Sequence, residues 1–325
     1  MREIFFSHAI AEALEEEMAR DERVILIGED IAEYGGAFKI TRDIARRFGK
    51  ERVRNTPISE NGFVGVAVGA AMTGLRPVAE LMFMDFLTLA MDQLCNHAAK
   101  LRYQYGEQCR IPLVLRCPAG AGRSYGPTHS QSLERWPFST PGLLVAAPAT
   151  AADAKGLLKS AIRCDDPVVF VESKLLYGQR GEVPEGDVTV PLGEAAVRRE
   201  GDDITLVAWS RMVGEALRAA EALAEHDVAA EVIDLRTLAP LDLATVAASV
   251  EATGRVVVVE EGNLTGGVAA EIVARITDEC FDALQAPPKR VAALDVPIPS
   301  SRVLEEAATP DWRDIARAAA GVLKY

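Results

Sequence analysis

The chain has 325 residues, 35 Lys and Arg against 48 Asp and Glu, a formal charge of −13 and 49% hydrophobic residues. At about 150 residues per domain this length implies two compact domains with ample buried core, and it excludes disorder. An acidic chain without a basic block is a poor partner for nucleic acid or an anionic membrane, because Lys and Arg neutralising phosphate supply most of that affinity.

The first helix pattern is amphipathic, with Ile10, Leu14 and Met18 on one face and Ser7 as its expected cap. The chain enters it directly after Met1-Arg2-Glu3, unlike a secretory signal. Val24 to Ile27 reads as a buried strand ending in Gly28-Glu29-Asp30, and Thr41 is expected to cap a short helix that closes at Gly49. Val53 to Thr56 is the next strand and Asn61 to Thr73 a helix of small residues. The longest apolar stretch, Gly62 to Leu75, is too short to span a bilayer and ends at Arg76. Val78 to Leu81 is a strand, Asp85 to Tyr103 a long helix and Leu113 to Cys117 a further strand. After a Gly/Ser/Pro-rich loop from Pro118 to Ser130 come the strand Leu144 to Ala146, a helix opened by Thr150 and Asp153, and the strand Val168 to Glu172. Short β-branched runs alternating with helical patterns define an α/β fold with a largely parallel sheet.

Periodicity fades from Ser173 to Gly201, which places a linker there and divides the chain into domains 1–180 and 201–325 joined by 181–200. In the second domain the expected strands are Ile204 to Ala208, Ala230 to Asp234 and Val256 to Glu260. The helices lie near Met212 to Ala224, Leu243 to Ala252 and Val268 to Asp278, and a Pro-rich stretch from Pro287 leads to a terminal helix from Trp312.

Thr56-Pro57-Ile58-Ser59-Glu60 delivers an acid at a strand end, where ligands bind in open α/β sheets. Glu60 reads either as a functional carboxyl or as a first-turn glutamate complementing the helix dipole. Small residues after it let backbone or ligand approach closely, and desolvation there favours an acid able to donate a hydrogen bond. His129 stands in a loop of Gly, Ser and Gln, either as a polar contact to a ligand or as a surface group. Gly122-Arg-Ser124-Tyr-Gly126 formally matches a nucleophile elbow, which would make a serine hydrolase acting through Ser124. The elbow needs a strand-to-helix turn, and Pro127 stands where the helix should begin. The four histidines lack metal-ligand spacing with any cysteine, so zinc is not expected. Five cysteines without a CxxC pair fit a reducing cytoplasm, and a cytoplasmic location is expected. Met82, Phe83, Met84 and Phe86 suit either a core or a soft wall for a planar aromatic ligand.

These segments together resemble the β subunit of the thiamine-diphosphate-dependent decarboxylating component of 2-oxo acid and acetoin dehydrogenase complexes, in the transketolase superfamily. The resemblance covers nearly the whole chain. It rests on Gly28-Glu29-Asp30 with Tyr34-Gly35-Gly36, Thr56 to Glu60, Gly69 to Pro77, Asp92-Gln93, Ala98 to Tyr103, His129 to Ser132, Asp153 to Leu158 and Asp234 to Asp242. It implies a transketolase-like pyrimidine-binding domain followed by a transketolase C-terminal domain. Glu60 matches the glutamate that hydrogen-bonds the aminopyrimidine ring and so activates the cofactor. Met82 and Phe86 match the pyrimidine wall, and His129 the histidine near the 2-oxo acid and the incoming lipoyl group. Some members hold potassium through main-chain oxygens at positions corresponding to Leu113, Ala161, Ile162, Cys164 and Asp166.

Asn55, Pro127-Thr128 and Ser139-Thr140 depart from the usual pattern, the last pair replacing a segment that often carries a histidine. Glu80 to Phe86, with Tyr103 to Gly106, is closer to acetoin-type members. The chain has Gly201-Asp202-Asp203 but no GDG motif, the signature through which thiamine enzymes hold the diphosphate by way of Mg²⁺. The resemblance assigns that half, magnesium included, to an α subunit in an α2β2 assembly. The complex's lipoyl acyltransferase core is a further implied partner. A non-catalytic scaffold of the same family is the other alternative.

Overall fold

The computed structural model describes residues 1–325 and divides into two compact units. The first comprises Met1–Ala119 and Trp136–Leu192, the second Gly120–Arg135 and Gly193–Tyr325.

The first unit begins with β1 (Arg2–Phe5), α1 (Phe6–Arg20), β2 (Val24–Glu29), α2 (Ile44–Phe48), β3 (Val53–Thr56), α3 (Glu60–Met72) and β4 (Arg76–Glu80). α4 (Leu87–Asp92), α5 (Ala99–Gln104) and β5 (Val114–Ala119) follow. The chain returns through α6 (Arg135–Phe138) to β6 (Leu144–Ala146), α7 (Ala151–Arg163), β7 (Val168–Ser173) and β8 (Arg180–Val183). Its main strands lie in the order β6-β7-β5-β4-β2-β3, each neighbouring pair parallel. β2, β5 and β7 are buried along their whole length, as the apolar runs require. α1 packs Phe6, Ile10, Leu14 and Met18 against Leu157, Leu158, Ala161 and Ile162 of α7, in one core with Phe170 and Tyr177.

Several local expectations change. Ser7 does not cap α1, which starts after β1 at Phe5; its hydroxyl instead bonds the Tyr177 carbonyl at 3.0 Å. Thr41 is likewise not a cap, since its buried hydroxyl donates to the Ile31 carbonyl at 2.9 Å while Asp43 precedes α2. Thr150 does cap α7, accepting from the Asp153 N–H at 3.1 Å. The helix expected from Asp85 to Tyr103 is a 3-10 turn (Met84–Phe86), then α4, a π turn (Gln93–Ala98) and α5. The stretch read as a linker carries β8, which pairs antiparallel with β1.

The second unit contains β9 (Ala196–Arg199), β10 (Ile204–Ala208), α8 (Arg211–Ala224), β11 (Ala230–Asp234), β12 (Thr237–Ala239), α9 (Leu243–Thr253) and β13 (Val256–Asn263). α10 (Val268–Cys280), β14 (Lys289–Ala293), α11 (Arg302–Ala308) and α12 (Trp312–Val322) complete it. The sheet order is β14-β13-β10-β11-β9, with only β9 antiparallel. Asp242 caps α9, and Asp311 with Asp314 forms a capping box on α12. All five cysteines are free thiols, and no helix is long and apolar enough to cross a membrane.

Candidate active site

In the first unit, β3, β2 and β4 run parallel and side by side, so their carboxyl ends open on one edge of the sheet, the place where α/β folds bind ligands. Three of the sequence-predicted residues follow these ends. Glu60 is the first residue of α3, just beyond β3, and is 5% exposed. Met82 and Phe86 follow β4 and are half-buried. Neighbouring Phe83 stacks edge-on with Phe86 at 6.2 Å and with Phe38 at 5.7 Å between ring centroids.

Sequence reasoning missed Glu29 as a site residue. It ends β2 in register with Thr56 of β3, and its carboxyl accepts from the Ser59 main chain immediately before Glu60. Burial first, and then the charge of Glu60, raise its pKa from 4.5 to about 7. A signal was available: an acid at the end of a wholly apolar strand, beside Gly28. A Cβ on Gly28 would lie 2.7 Å from the Glu80 carbonyl, so glycine lets β2 and β4 close at this point.

Oε1 of Glu29 and Oγ1 of Thr56 are buried without a hydrogen-bond partner. Orphaned polar atoms at a strand edge, beside Glu60 and near a half-buried Met and Phe, suit a flat heteroaromatic group with ring nitrogens. The residues present therefore fit the pyrimidine half of thiamine diphosphate.

Behind this edge lies a sealed ionic network. Arg116 on β5 makes a two-pronged pair with Glu172 on β7, at 2.7 and 2.9 Å, and bonds Glu80 through Nη1. Tyr177 donates to Glu172 at 2.7 Å. Arg116 is 1% exposed, and burial pushes the Glu80 carboxyl up against the pull of Arg116.

The five positions expected for potassium come together around the turn from α7 into β7 and the start of β5. Their main-chain oxygens are the correct donors for a hard cation. Each of four already accepts a hydrogen bond: Leu113 from Val168 at 2.8 Å, Ala161 from Cys164 at 3.2 Å, and Ile162 and Cys164 from the Arg76 guanidinium at 2.9 Å each. The Asp166 carboxylate pairs with Arg102 at 2.5 Å. Arg76, itself paired with Asp165 at 2.6 Å, brings a positive charge to the carbonyl end of α7.

His129 belongs to the second unit, within Gly120–Arg135. It is half-buried, its Nδ1 lies 3.0 Å from the Thr128 hydroxyl, and its N–H donates to the Gly126 carbonyl at 3.3 Å. Ser124 is no nucleophile elbow. It takes φ 57° within an irregular loop, no helix follows it before α6, and its N–H and hydroxyl both face the Glu305 carboxylate, at 2.9 and 3.5 Å. The serine-hydrolase reading is thereby overturned.

The two units are the two modules of a transketolase-type protein. Residues 2–179 match the transketolase pyrimidine binding domain and residues 193–315 the transketolase C-terminal domain. The chain is 47% identical over 321 residues to the mitochondrial pyruvate dehydrogenase E1 component subunit beta-1 of Arabidopsis thaliana, covering 98% of this chain and 88% of the relative. The corresponding subunit of Rickettsia bellii is 45% identical over 316 residues, covering 97% of each chain. That of Rhizobium meliloti is 46% identical, covering 97% of this chain and 68% of the relative. Among solved structures, a split-gene transketolase described as an inactive β4 tetramer superposes with a TM-score of 0.81 at 25% identity, over 99% of this chain and 98% of that one. The chain belongs to the β subunits of the thiamine-diphosphate-dependent component of 2-oxo acid dehydrogenase complexes.

Proposed function

We propose that this chain is the β subunit of a pyruvate dehydrogenase, acting with an α subunit in an α2β2 assembly and passing the acyl group to a lipoyl acyltransferase core. The observation that carries the reading is Glu60, buried at the strand edge beside the orphaned polar oxygens of Glu29 and Thr56. The pyruvate-type names of the relatives favour pyruvate over the acetoin and branched-chain substrates.

Bound thiamine diphosphate supplies a carbon nucleophile that stabilises the negative charge left by decarboxylation. In this reading Glu60 hydrogen-bonds a pyrimidine ring nitrogen and fixes the ring's orientation. Low exposure keeps that bond strong, because little water competes for it. Glu29, holding its proton up to about pH 7, spares the site two negative charges side by side. Met82 and Phe86 pack against the ring, and His129 contacts the substrate or the incoming lipoyl group.

The α subunit supplies the magnesium and the diphosphate grip, since this chain lacks the GDG motif. Potassium would be a structural ion held by the oxygens of Leu113, Ala161, Ile162, Cys164 and Asp166, neutralising their partial negative charge at the turn between α7 and β7. A cytoplasmic location, and a docking role for the second unit towards the acyltransferase core, belong to the same proposal. The test is reconstitution: the purified chain alone shows no thiamine-dependent pyruvate turnover, and turnover appears on adding its α partner. Robust turnover by the chain alone overturns the shared-site reading.

A further inference from the structure

The loop that carries His129 is tied down by two carboxylates distant in sequence. Glu261, on β13, accepts the N–H of Ala121 at 2.8 Å through Oε1 and is held by Arg211 Nε at 3.2 Å through Oε2. Glu305, on α11 and 1% exposed, accepts the N–H groups of Gly122 at 2.8 Å and Ser124 at 2.9 Å, one on each oxygen. Gly120, Gly122 and Ser124 all take positive φ, at 92°, 92° and 57°. Such alternation turns successive N–H groups inward into a concave anion-binding nest. Here the anions are the protein's own side chains. Glycine suits position 120 because its φ of 92° is one that L side chains rarely adopt, and a Cβ there would also push on Glu261 Oε1, 2.8 Å away.

Main-chain N–H groups bonded to ionised carboxylates are among the stronger hydrogen bonds, and three of them converge within four residues. The loop is closed at its base by the Gly120 N–H donating to the Gln131 carbonyl at 3.2 Å, and the Gly126 carbonyl receives the His129 N–H. The histidine therefore hangs from a segment fixed at one side by the carboxylates and at the other by that closure.

We propose that Glu261 and Glu305 are positioning residues that clamp the loop and thereby fix His129 for acyl transfer. The inference rests on the proposed role of His129 and is tested so that the two can fail separately. The full chain, assembled with its α partner, is compared as wild type, E305A, E305D, E305Q, E261Q and H129A. Trypsin cleavage after Arg123, an exposed loop residue, reports release of the loop. Decarboxylation read with an electron-accepting dye, and acyl transfer read with a lipoyl domain, report the two half-reactions.

In E305A, cleavage at Arg123 is expected to rise about tenfold or more, as loss of charge-assisted bonds raises the open population. Acyl transfer is expected to fall about tenfold while dye-linked decarboxylation stays within about twofold, a split that general destabilisation would not produce. E305D is expected to restore part of both readouts. Should E305A fail to fold, E305Q and E261Q carry the same comparison, since each retains the side-chain volume but loses the anion. Unchanged cleavage overturns the clamp, whatever His129 does. Raised cleavage with both half-reactions falling together overturns the positioning role. If acyl transfer survives loop release, H129A separates the causes: a defective H129A overturns the positioning role alone, and an active H129A overturns the assignment of His129 on which the proposal rests.

Discussion

Glu29 stands close enough to Glu60 for the charge of Glu60 to oppose its ionisation, and burial adds the larger part of the effect. Between pH 4.5 and about 7 the folded chain keeps a proton on Glu29 that the unfolded chain has released. This contribution is greatest at the acid end of that window and is lost as the pH rises through 7. Glu29→Gln should flatten the pH dependence and stabilise the chain at pH 8, by on the order of 2–3 kcal/mol. Urea unfolding of both forms at pH 5 and pH 8 measures the difference; parallel pH profiles would remove Glu29 as the titrating group.

Glu60→Gln keeps the shape of the side chain at the head of α3 and removes the acid. In the assembly with the α partner, hydrogen exchange at the thiazolium carbon should slow by roughly 10²-fold or more, the scale of a lost general acid or base. Sedimentation should show the same assembly as wild type. Exchange at the wild-type rate would sink the assigned role.

Arg116 pairs with Glu80 and Glu172 where all three side chains are buried. Arg116→Met strips the partner from two buried carboxylates and should destabilise the first unit by about 3–5 kcal/mol. Part of the loss should be recovered at acid pH, where the carboxyls can take up protons. A melting temperature unchanged at pH 8 would show that the network is not needed.

Potassium, if held at the α7–β7 turn, should raise the melting temperature over sodium at equal ionic strength, because an ion that binds only the folded chain stabilises it by mass action. Arg76→Met should weaken the turn, and the potassium effect should grow once the competing guanidinium is gone. Equal melting in both salts, in wild type and variant, would remove potassium from the site.

Much of the fold was legible because burial of an apolar face imposes a period. β10 and β11 fall on their expected residues, and α8, α9 and α10 within two residues of theirs. The strands β1 and β8 were not legible, since each has four residues, few of them buried, and exists through pairing with the other from the far end of the unit. The Ser7 and Thr41 caps failed for a related reason: the carbonyls of Tyr177 and Ile31 offered their hydroxyls partners that only the folded chain brings near.

The sequence by itself determined the α/β class, the family through its motifs, the placement of Glu60 after a strand, and the absence of a GDG motif. These depend on residue order and on local periodicity, which the chain carries unfolded. Only the tertiary structure set Glu29 beside Glu60, through parallel pairing of β2 with β3. It also placed Arg76 on the carbonyls of α7, and bound the His129 loop to Glu261 and Glu305. Each depends on desolvated charges meeting across long loops, and their energies exist only once packing has excluded water and fixed both partners.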